Sequence, residues 1–430
     1  MTFSLTVDGP AWRAHAESVR DDVRNVINIG RPGAQSGDIV PVIKGNGYGF
    51  GLANLAVESA RLGIDRVAVG TAHEAAAVAR YYPGEILVMQ PWDPRDLPSL
   101  AVWELIDASN FGERVIRTVS SVDAIRGLSA QPANESGRPI RVLIEGLTSM
   151  RRFGLAEPDL DAVLTEDGLR DALRERRIEL LGLAIHLPLA QPLSPHAQTL
   201  ESSWTDNQPR TQLPKQASGR VREAWSWTLT WIRALGALED AGCPLEEEAA
   251  GVWLSHLDDT ELAQLRAAVP DLPLRVRIGT RLWLGAPETL SVTGTVLAVH
   301  SVAKGRAVGY RQRRAPKEGL LVVVGGGTSH GVALEAPTPA ASMRQRVVSA
   351  GTGAIEATGR ARSPFQWDGK FRRFMEPPHM QVSMIWISAD DVRQAVARGV
   401  KAPSVGDELP CRVRNTTAAF DRIIGLDDQA

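Results

Sequence analysis

Cysteine is nearly absent from this 430-residue chain: Cys243 and Cys411 are the only two. With no paired spacing they support neither a disulfide framework nor a thiolate metal site, and a reducing cytoplasm is the expected location. An excess of either charge is also missing. With 48 basic against 50 acidic residues and no long basic run, there is no electrostatic footprint for nucleic acid or an anionic membrane. No stretch approaches the ~20 apolar residues of a membrane helix, and the first residues lack the basic start and apolar core of a leader, so a soluble, unprocessed protein is expected. Tyrosine is scarce, occurring only as Tyr48, Tyr81, Tyr82 and Tyr310. These absences leave small, weakly charged molecules as the expected ligands.

The length exceeds one ordinary core of about 100–200 residues, and a barrel of about 250 residues with a smaller second domain fits it. Short apolar runs alternate with helical patterns at 39–43, 66–70, 86–89, 105–108, 141–144, 180–185, 251–254 and 274–277. Eight such units predict an α/β fold, a (β/α)8 TIM barrel over residues 1–285. Helical spacing covers 71–81, 221–241 and 259–269, and Trp225, Trp227 and Trp231 read as packing residues. The polar, Pro- and Ser-rich segment 191–219 reads as an insertion at the barrel rim. Beyond 285, alternating runs at 290–299, 320–324, 380–388 and 406–413 predict a mainly β C-terminal domain over 286–430, interrupted by an irregular insertion at about 357–378.

Lys44 follows the first barrel strand directly and opens the loop Lys44-Gly45-Asn46-Gly47-Tyr48-Gly49-Phe50-Gly51. In a parallel barrel that junction faces the catalytic mouth. A lysine there can form an imine with an aldehyde cofactor that serves as an electron sink. The loop misses the dinucleotide fingerprint, because Phe50 stands where Gly45-x-Gly47 requires a third glycine.

The loop resembles the signature of the alanine racemase family: a strand, the cofactor lysine, small residues, then Tyr-Gly-x-Gly. Further segments resemble the family in the same order. These are Ser149-Met150-Arg151-Arg152-Phe153-Gly154, Gly182-Leu183-Ala184-Ile185-His186, the strand ending at Ser255, Arg277-Ile278-Gly279-Thr280-Arg281-Leu282-Trp283-Leu284-Gly285, and Gly305-Arg306-Ala307-Val308-Gly309-Tyr310.

The resemblance implies a pyridoxal-phosphate-dependent amino-acid racemase in which Lys44 carries pyridoxal 5'-phosphate as a Schiff base. Racemisation removes a proton from one face of Cα and returns one to the other, so two acid/base groups must flank the reacting carbon. The resemblance assigns them to Lys44 and Tyr310, with Tyr310 reaching the opposite subunit of a homodimer. A phenol of reference pKa about 10 needs positive or hydrogen-bonding neighbours to act near neutrality, and Arg152 and His186 are the family-matched candidates. Arg277 would contact the pyridine nitrogen without protonating it, which restrains the electron sink and favours reprotonation over elimination. Tyr48, Ser255, Gly279 and Thr280 are implied as phosphate contacts, His186 as a further cofactor contact, and Arg152, Tyr310 and Met384 as substrate contacts. The implied substrate is a small amino acid; no metal is implied. Gly325-Gly326-Gly327-Thr328-Ser329-His330-Gly331 matches a family loop near the substrate, and His256 reads as a polar cap residue.

The pattern also departs from the family. Gly326 replaces an entrance tyrosine, and the tail offers Phe420 where a second is expected, so the mouth is expected to be enlarged or occupied by the insertions, with alanine the default substrate and a larger amino acid the alternative. Ile385 follows Met384 where the family often has Asp. Glu145 stands near the position of a family lysine that pairs with the residue matched by Arg152. Alternatives are another pyridoxal-phosphate reaction (epimerase, decarboxylase or eliminase) on a larger amino acid, or a non-catalytic cofactor-binding protein.

Overall fold

The computed structural model describes residues 2–29, 37–132, 137–189, 213, 216–334 and 362–426. The N-terminal strand β1 (Phe3–Val7) precedes eight strands that form one parallel sheet: β2 (Asp38–Pro41), β3 (Arg66–Val69), β4 (Glu85–Val88), β5 (Val115–Val119), β6 (Ile140–Gly146), β7 (Ile178–His186), β8 (Val252–Ser255) and β9 (Leu274–Ile278). Their order is β2-β9-β8-β7-β6-β5-β4-β3. A parallel bridge from Val42 to Ala68 joins the two ends of that row, where the Ile43 N–H donates to the Ala68 carbonyl at 2.8 Å. The result is the expected (β/α)8 barrel.

Successive side chains on a strand face opposite ways, so every second residue enters the barrel. The inward positions form three layers. In the middle, Val40, Val42, Ala68, Leu87, Ile116, Leu143, Leu181, Ala184 and Trp253 make an apolar plug. Two residues earlier along the strands stand charges: Arg66 pairs with Glu85 and, at 2.5 Å, with Glu248, while Arg141 bridges Glu85 at 2.7 Å and Glu179 at 3.2 Å. Two residues later, at the carboxyl ends of the strands, come Lys44, Glu145, His186 and Ser255, with Arg277 in register beside Ser255. The plug thus separates a self-neutralised floor from a polar mouth, the end of a barrel where active sites form.

Segment 105–108 is not a barrel strand. It ends the helix Leu97–Asp107, whose first turn holds Pro98 and is capped by Asp96 accepting from the Ser99 N–H at 3.4 Å. The strand of that unit is Val115–Val119, four of whose five residues are β-branched. A short apolar run alone does not distinguish the two states; the cap and the N-terminal proline do.

A second compact unit comprises Ala286–Ala430 together with Met1–Arg13 and the turn Asn46–Gly51. Its sheet runs, edge to edge, Arg362–Trp367, Lys370–Phe374, Val382–Ser388, Gly319–Gly325, β10 (Leu290–Val302), β1 and Arg422–Ile424, with Glu408–Pro410 also paired to β10. Phe3, Val296, Val322, Val324, Phe365 and Ile385 are buried in its core. The expected irregular insertion at 357–378 is instead a hairpin from residue 362 to 374, turning at Asp368 and Gly369, both with positive φ. The arginines and lysine on its strands hid the alternation that Phe365, Trp367 and Phe374 carry. The expected insertion at 191–219 lies outside the described residues up to 212, and Gly219 begins the helix Gly219–Asp240.

Leu105 is 73 % exposed and Ile116 fully buried. Leu105→Glu should therefore shift the thermal midpoint by no more than about 2 °C, whereas Ile116→Glu should prevent accumulation of soluble folded protein. Circular dichroism melts of the two variants check the helix assignment; collapse of the Leu105 variant would contradict it.

Candidate active site

Lys44 stands two residues beyond the closing bridge. The backbone that presents it is held by Glu74, in the first turn of the helix Ala72–Ala79. Glu74 Oε1 accepts from the Gly45 N–H at 3.1 Å and Oε2 from the Gly70 N–H at 2.7 Å. A Cβ at Gly70 would be tight, 3.1 Å from Glu74 Oε2 and 3.2 Å from Lys44 Cβ. The Lys44 side chain is open to solvent, yet the surrounding rim desolvates its amine and lowers its pKa, with Arg152 and Arg277 adding to the effect and Glu74 opposing it. A lysine so placed keeps a larger neutral, nucleophilic fraction than a surface lysine.

His186, Ser255 and Arg277 lie in register on adjacent strands. Ser255 Oγ is 2.9 Å from His186 Nδ1, and the His186 and His256 rings meet edge to face at 4.9 Å. The His186 pKa is pushed down to about 2 from 6.5, by burial first and then by Arg277, Arg152, His256 and Lys44. Its ring is therefore a neutral hydrogen-bonding group at any working pH. His256 is lowered for the same reasons, and it adopts a left-handed backbone (φ +65°) with its carbonyl accepting from Arg220 at 2.9 Å.

Arg277 is buried. Its Nη2 donates to the Ile185 carbonyl at 3.1 Å and the Trp253 carbonyl at 3.5 Å, while its Nε has no acceptor among the described residues. Glu145 is buried beside it, and its carboxyl is raised by burial against the opposing pull of Arg277 and Arg152. The suggested Glu145–Arg152 partnership acts through space: no ion pair closes between them among the described residues. Arg152 is exposed on the loop after β6, its guanidinium 5.3 Å from the Phe153 ring. That loop is pinned by Thr148 Oγ1 donating to the His186 carbonyl at 2.6 Å and by the close approach of Gly154 to the Gly146 backbone, where a Cβ would sit 2.4 Å away. Gly279 precedes the short helix Thr280–Leu284, whose Leu282 and Trp283 N–H groups both donate to its carbonyl at 3.0 Å.

Seven candidate residues thus gather at one end of the barrel: Lys44, Arg152, His186, Ser255, Arg277, Gly279 and Thr280. Tyr48, Tyr310 and Met384 belong to the second unit. Tyr48 is buried at φ +55° in the turn anchored by Asn46 Nδ2 donating to the Asn415 and Ala418 carbonyls, and burial pushes its phenol up to about 12. Tyr310 is 86 % exposed. Met384 sits mid-strand opposite Val323, its carbonyl accepting from Met375 N–H at 2.8 Å.

Gly326 does not widen an opening by itself. At φ +111° a Cβ there would lie 2.6 Å from Phe3 Cδ2 and 3.2 Å from Phe365 Cζ, so the position faces aromatic core. Phe420 stacks on Phe3 with ring centroids 5.5 Å apart. Sequence reading missed Glu74, Glu376 and His379. For Glu74 the available signal was an acidic residue in the first turn of the helix after the Gly70 strand end.

Residues 17–217 match the family model described as alanine racemase, N-terminal domain. Over that part the chain is similar to the alanine racemase family, at low sequence identity. An alanine racemase of Nitratidesulfovibrio vulgaris (strain Miyazaki F) is 25% identical over 291 residues, covering 67% of this chain and 68% of the relative. One of Corynebacterium efficiens is 26% identical over 306 residues, covering 68% and 69%. Among solved structures, alanine racemase from D-cycloserine-producing Streptomyces lavendulae aligns with a TM-score of 0.60 at 16% identity, over 99% of this chain and 97% of that one. Histidine racemase from Leuconostoc mesenteroides subsp. sake aligns at 0.59 and 17%, over 98% of each. Alanine racemase from Bartonella henselae, with covalently bound pyridoxal phosphate, aligns at 0.58 and 14%, over 99% of each. These structural likenesses speak for the fold, and no helix among the described residues is long and apolar enough to cross a membrane.

Because the folded-state pKa of His186 lies below its unfolded value, unfolding takes up a proton between pH of about 2 and 6.5. Its contribution therefore favours unfolding progressively as pH falls below about 6.5. His186→Asn, which cannot titrate, should lose less thermal stability than the parent between pH 7 and pH 4.5. Superimposable midpoint-against-pH curves would contradict the neutral ring.

Proposed function

We propose that this protein is a pyridoxal-phosphate-dependent amino-acid racemase working by two-base proton transfer. The observation that carries the proposal is the Arg277 Nε, a buried donor with no acceptor among the described residues, in register with Ser255 and at the same barrel mouth as Lys44. An orphaned buried donor costs about 1–3 kcal/mol, and a pyridine ring offers the single acceptor nitrogen it lacks. Lys44 would hold such a cofactor as an imine. Ser255, the backbone at Gly279 and Thr280, and Tyr48 would hold its phosphate, and His186 would bond as a neutral ring. The cofactor, once bound, supplies the electron sink that makes the substrate α-proton removable.

The rest is the work of this chain's own residues. The Lys44 amine, whose pKa is lowered by desolvation, Arg152 and Arg277, takes or returns the α-proton on one face. The Tyr310 phenol, presented by the partner subunit of a homodimer, does so on the other. Arg277 donates to the pyridine nitrogen but retains its own proton, which favours return of the α-proton over side reactions. Arg152, exposed at the mouth, serves the substrate carboxylate and Tyr310. The methionine whose backbone meets that carboxylate is better sought at Met375 than at Met384. An acidic residue, Glu376, follows Met375 directly, and that carboxylate accepts from the Tyr310 N–H at 3.3 Å.

Alanine is the first substrate to try. The structural likeness to a histidine racemase puts larger amino acids in the same panel. Purified protein should show an absorbance band near the visible edge that borohydride removes and that Lys44→Ala lacks. In deuterated water it should form D-enantiomer with α-deuterium from at least one of L-alanine, L-serine, L-lysine, L-glutamate and L-histidine. A band with no α-deuterium in any of them would overturn the racemase reading and leave cofactor binding standing.

A further inference from the structure

The β unit holds a second group of chemistry-bearing side chains around Tyr310. Glu376 is buried, and its carboxylate receives three donors: the backbone N–H groups of Tyr310 and Arg311, each at 3.3 Å, and the His379 ring nitrogen Nε2 at 2.6 Å. Burial alone would raise that carboxyl. The His379 bond and the two backbone donors outweigh it, so the group is held below the ordinary glutamate range and stays anionic. Gly309 turns at φ +74° with its α-carbon against the same carboxylate, where a Cβ would fall 2.2 Å from Oε2. The turn carrying Tyr310 is therefore folded around one buried anion.

His379 is fixed from three sides. Its side chain is tied to Glu376, its N–H donates to the Val382 carbonyl at 2.9 Å, and its carbonyl accepts from Thr328 N–H at 2.9 Å. Held this way, its ring lies against the Tyr310 phenol ring, centroids 4.7 Å apart and planes tilted by 42°. An 86 % exposed tyrosine with a free backbone turn would sample several rotamers. Here the backbone is set by Glu376 and one face of the ring is backed by His379.

We infer that Glu376 and His379 form a positioning pair for Tyr310, with Glu376 setting the turn and His379 bracing the phenol for proton transfer. This rests on the reading of Tyr310 as the second base. Misplacing a catalytic group by about 1 Å costs on the order of 100-fold in rate, so the brace acts on one proton transfer and leaves the other untouched. A merely structural role would lower both.

The test compares the parent enzyme with His379→Ala, His379→Gln and Tyr310→Phe, each in its cofactor-loaded form. The probes are D- and L-alanine, or D- and L-histidine if that is the pair turned over. Inversion and α-deuterium uptake without inversion are followed separately for each enantiomer in deuterated water. With His379→Ala, inversion should fall about 10- to 100-fold, and exchange should be lost from one enantiomer while it persists within about 3-fold for the enantiomer served by Lys44. His379→Gln, which can still bond Glu376, should recover part of the loss. In 3-fluorotyrosine-labelled enzyme, the Tyr310 resonance, assigned with Tyr310→Phe, should shift in His379→Ala while those of Tyr48, Tyr81 and Tyr82 stay in place. Equal loss of exchange from both enantiomers, or no loss from either, would overturn the positioning role. If Tyr310→Phe itself spares inversion, the second-base assignment fails first and the pair has nothing to position.

Discussion

A guanidinium that cannot lose its proton is buried at the end of the barrel, and the mouth is organised around that charge. Removing Arg277 from water costs several kcal/mol unless partners compensate, and the compensation is partial: two carbonyls take Nη2, Glu145 contributes through space, and Nε is left without an acceptor. The same charge depresses His186, His256 and Lys44 together. Burial is the larger cause for all three, and Arg277 adds to it while leaving a donor of its own without an acceptor among the described residues. An uncompensated buried donor at the mouth, beside a floor neutralised by its own ion pairs, is what a ligand site looks like energetically.

The layering explains how one fold holds both ends. Trp253 and the aliphatic plug keep the floor charges from the mouth charges, so Arg66, Arg141 and Arg275 can be satisfied by Glu85, Glu179 and Glu248 without drawing on Glu145 or Glu74. Strand β6 shows the order within one element, with Arg141, Leu143 and Glu145 at every second position. That order fits the usual division of a barrel into a stability face and a chemistry face.

Much of this was readable from the residues in order. Strand ends carry the motif residues, so Lys44, His186, Ser255 and Arg277 could be named from period-2 runs and the signatures that follow them. What escaped has a common physical cause. Glu376 and His379 act through contacts with backbone N–H groups and a ring more than sixty residues away, which nothing local marks, and Glu74 also bonds Gly45 far along the chain. Met384 was named by resemblance, and the methionine followed by an acidic residue is Met375, at the end of a hairpin rich in arginine. The segment 105–108 was misread because Leu105 and Ile106 look like a strand until Asp96 and Pro98 are read as a helix start. Gly326 looked like a missing gate; its φ and the rings of Phe3 and Phe365 make it a packing requirement.

The position of Lys44 carries one more consequence. Val42 and Ala68 form the seam at which the barrel shuts, and two residues further on Glu74 ties Gly45 to Gly70 across it. Arg277, on the neighbouring strand β9, and Arg152, on the loop after β6, both help lower the basicity of the amine, and both are brought to it by the fold. An unfolded chain would carry at this position an ordinary, mostly protonated lysine, a slower nucleophile toward aldehydes. Folding itself therefore raises the neutral fraction of this amine.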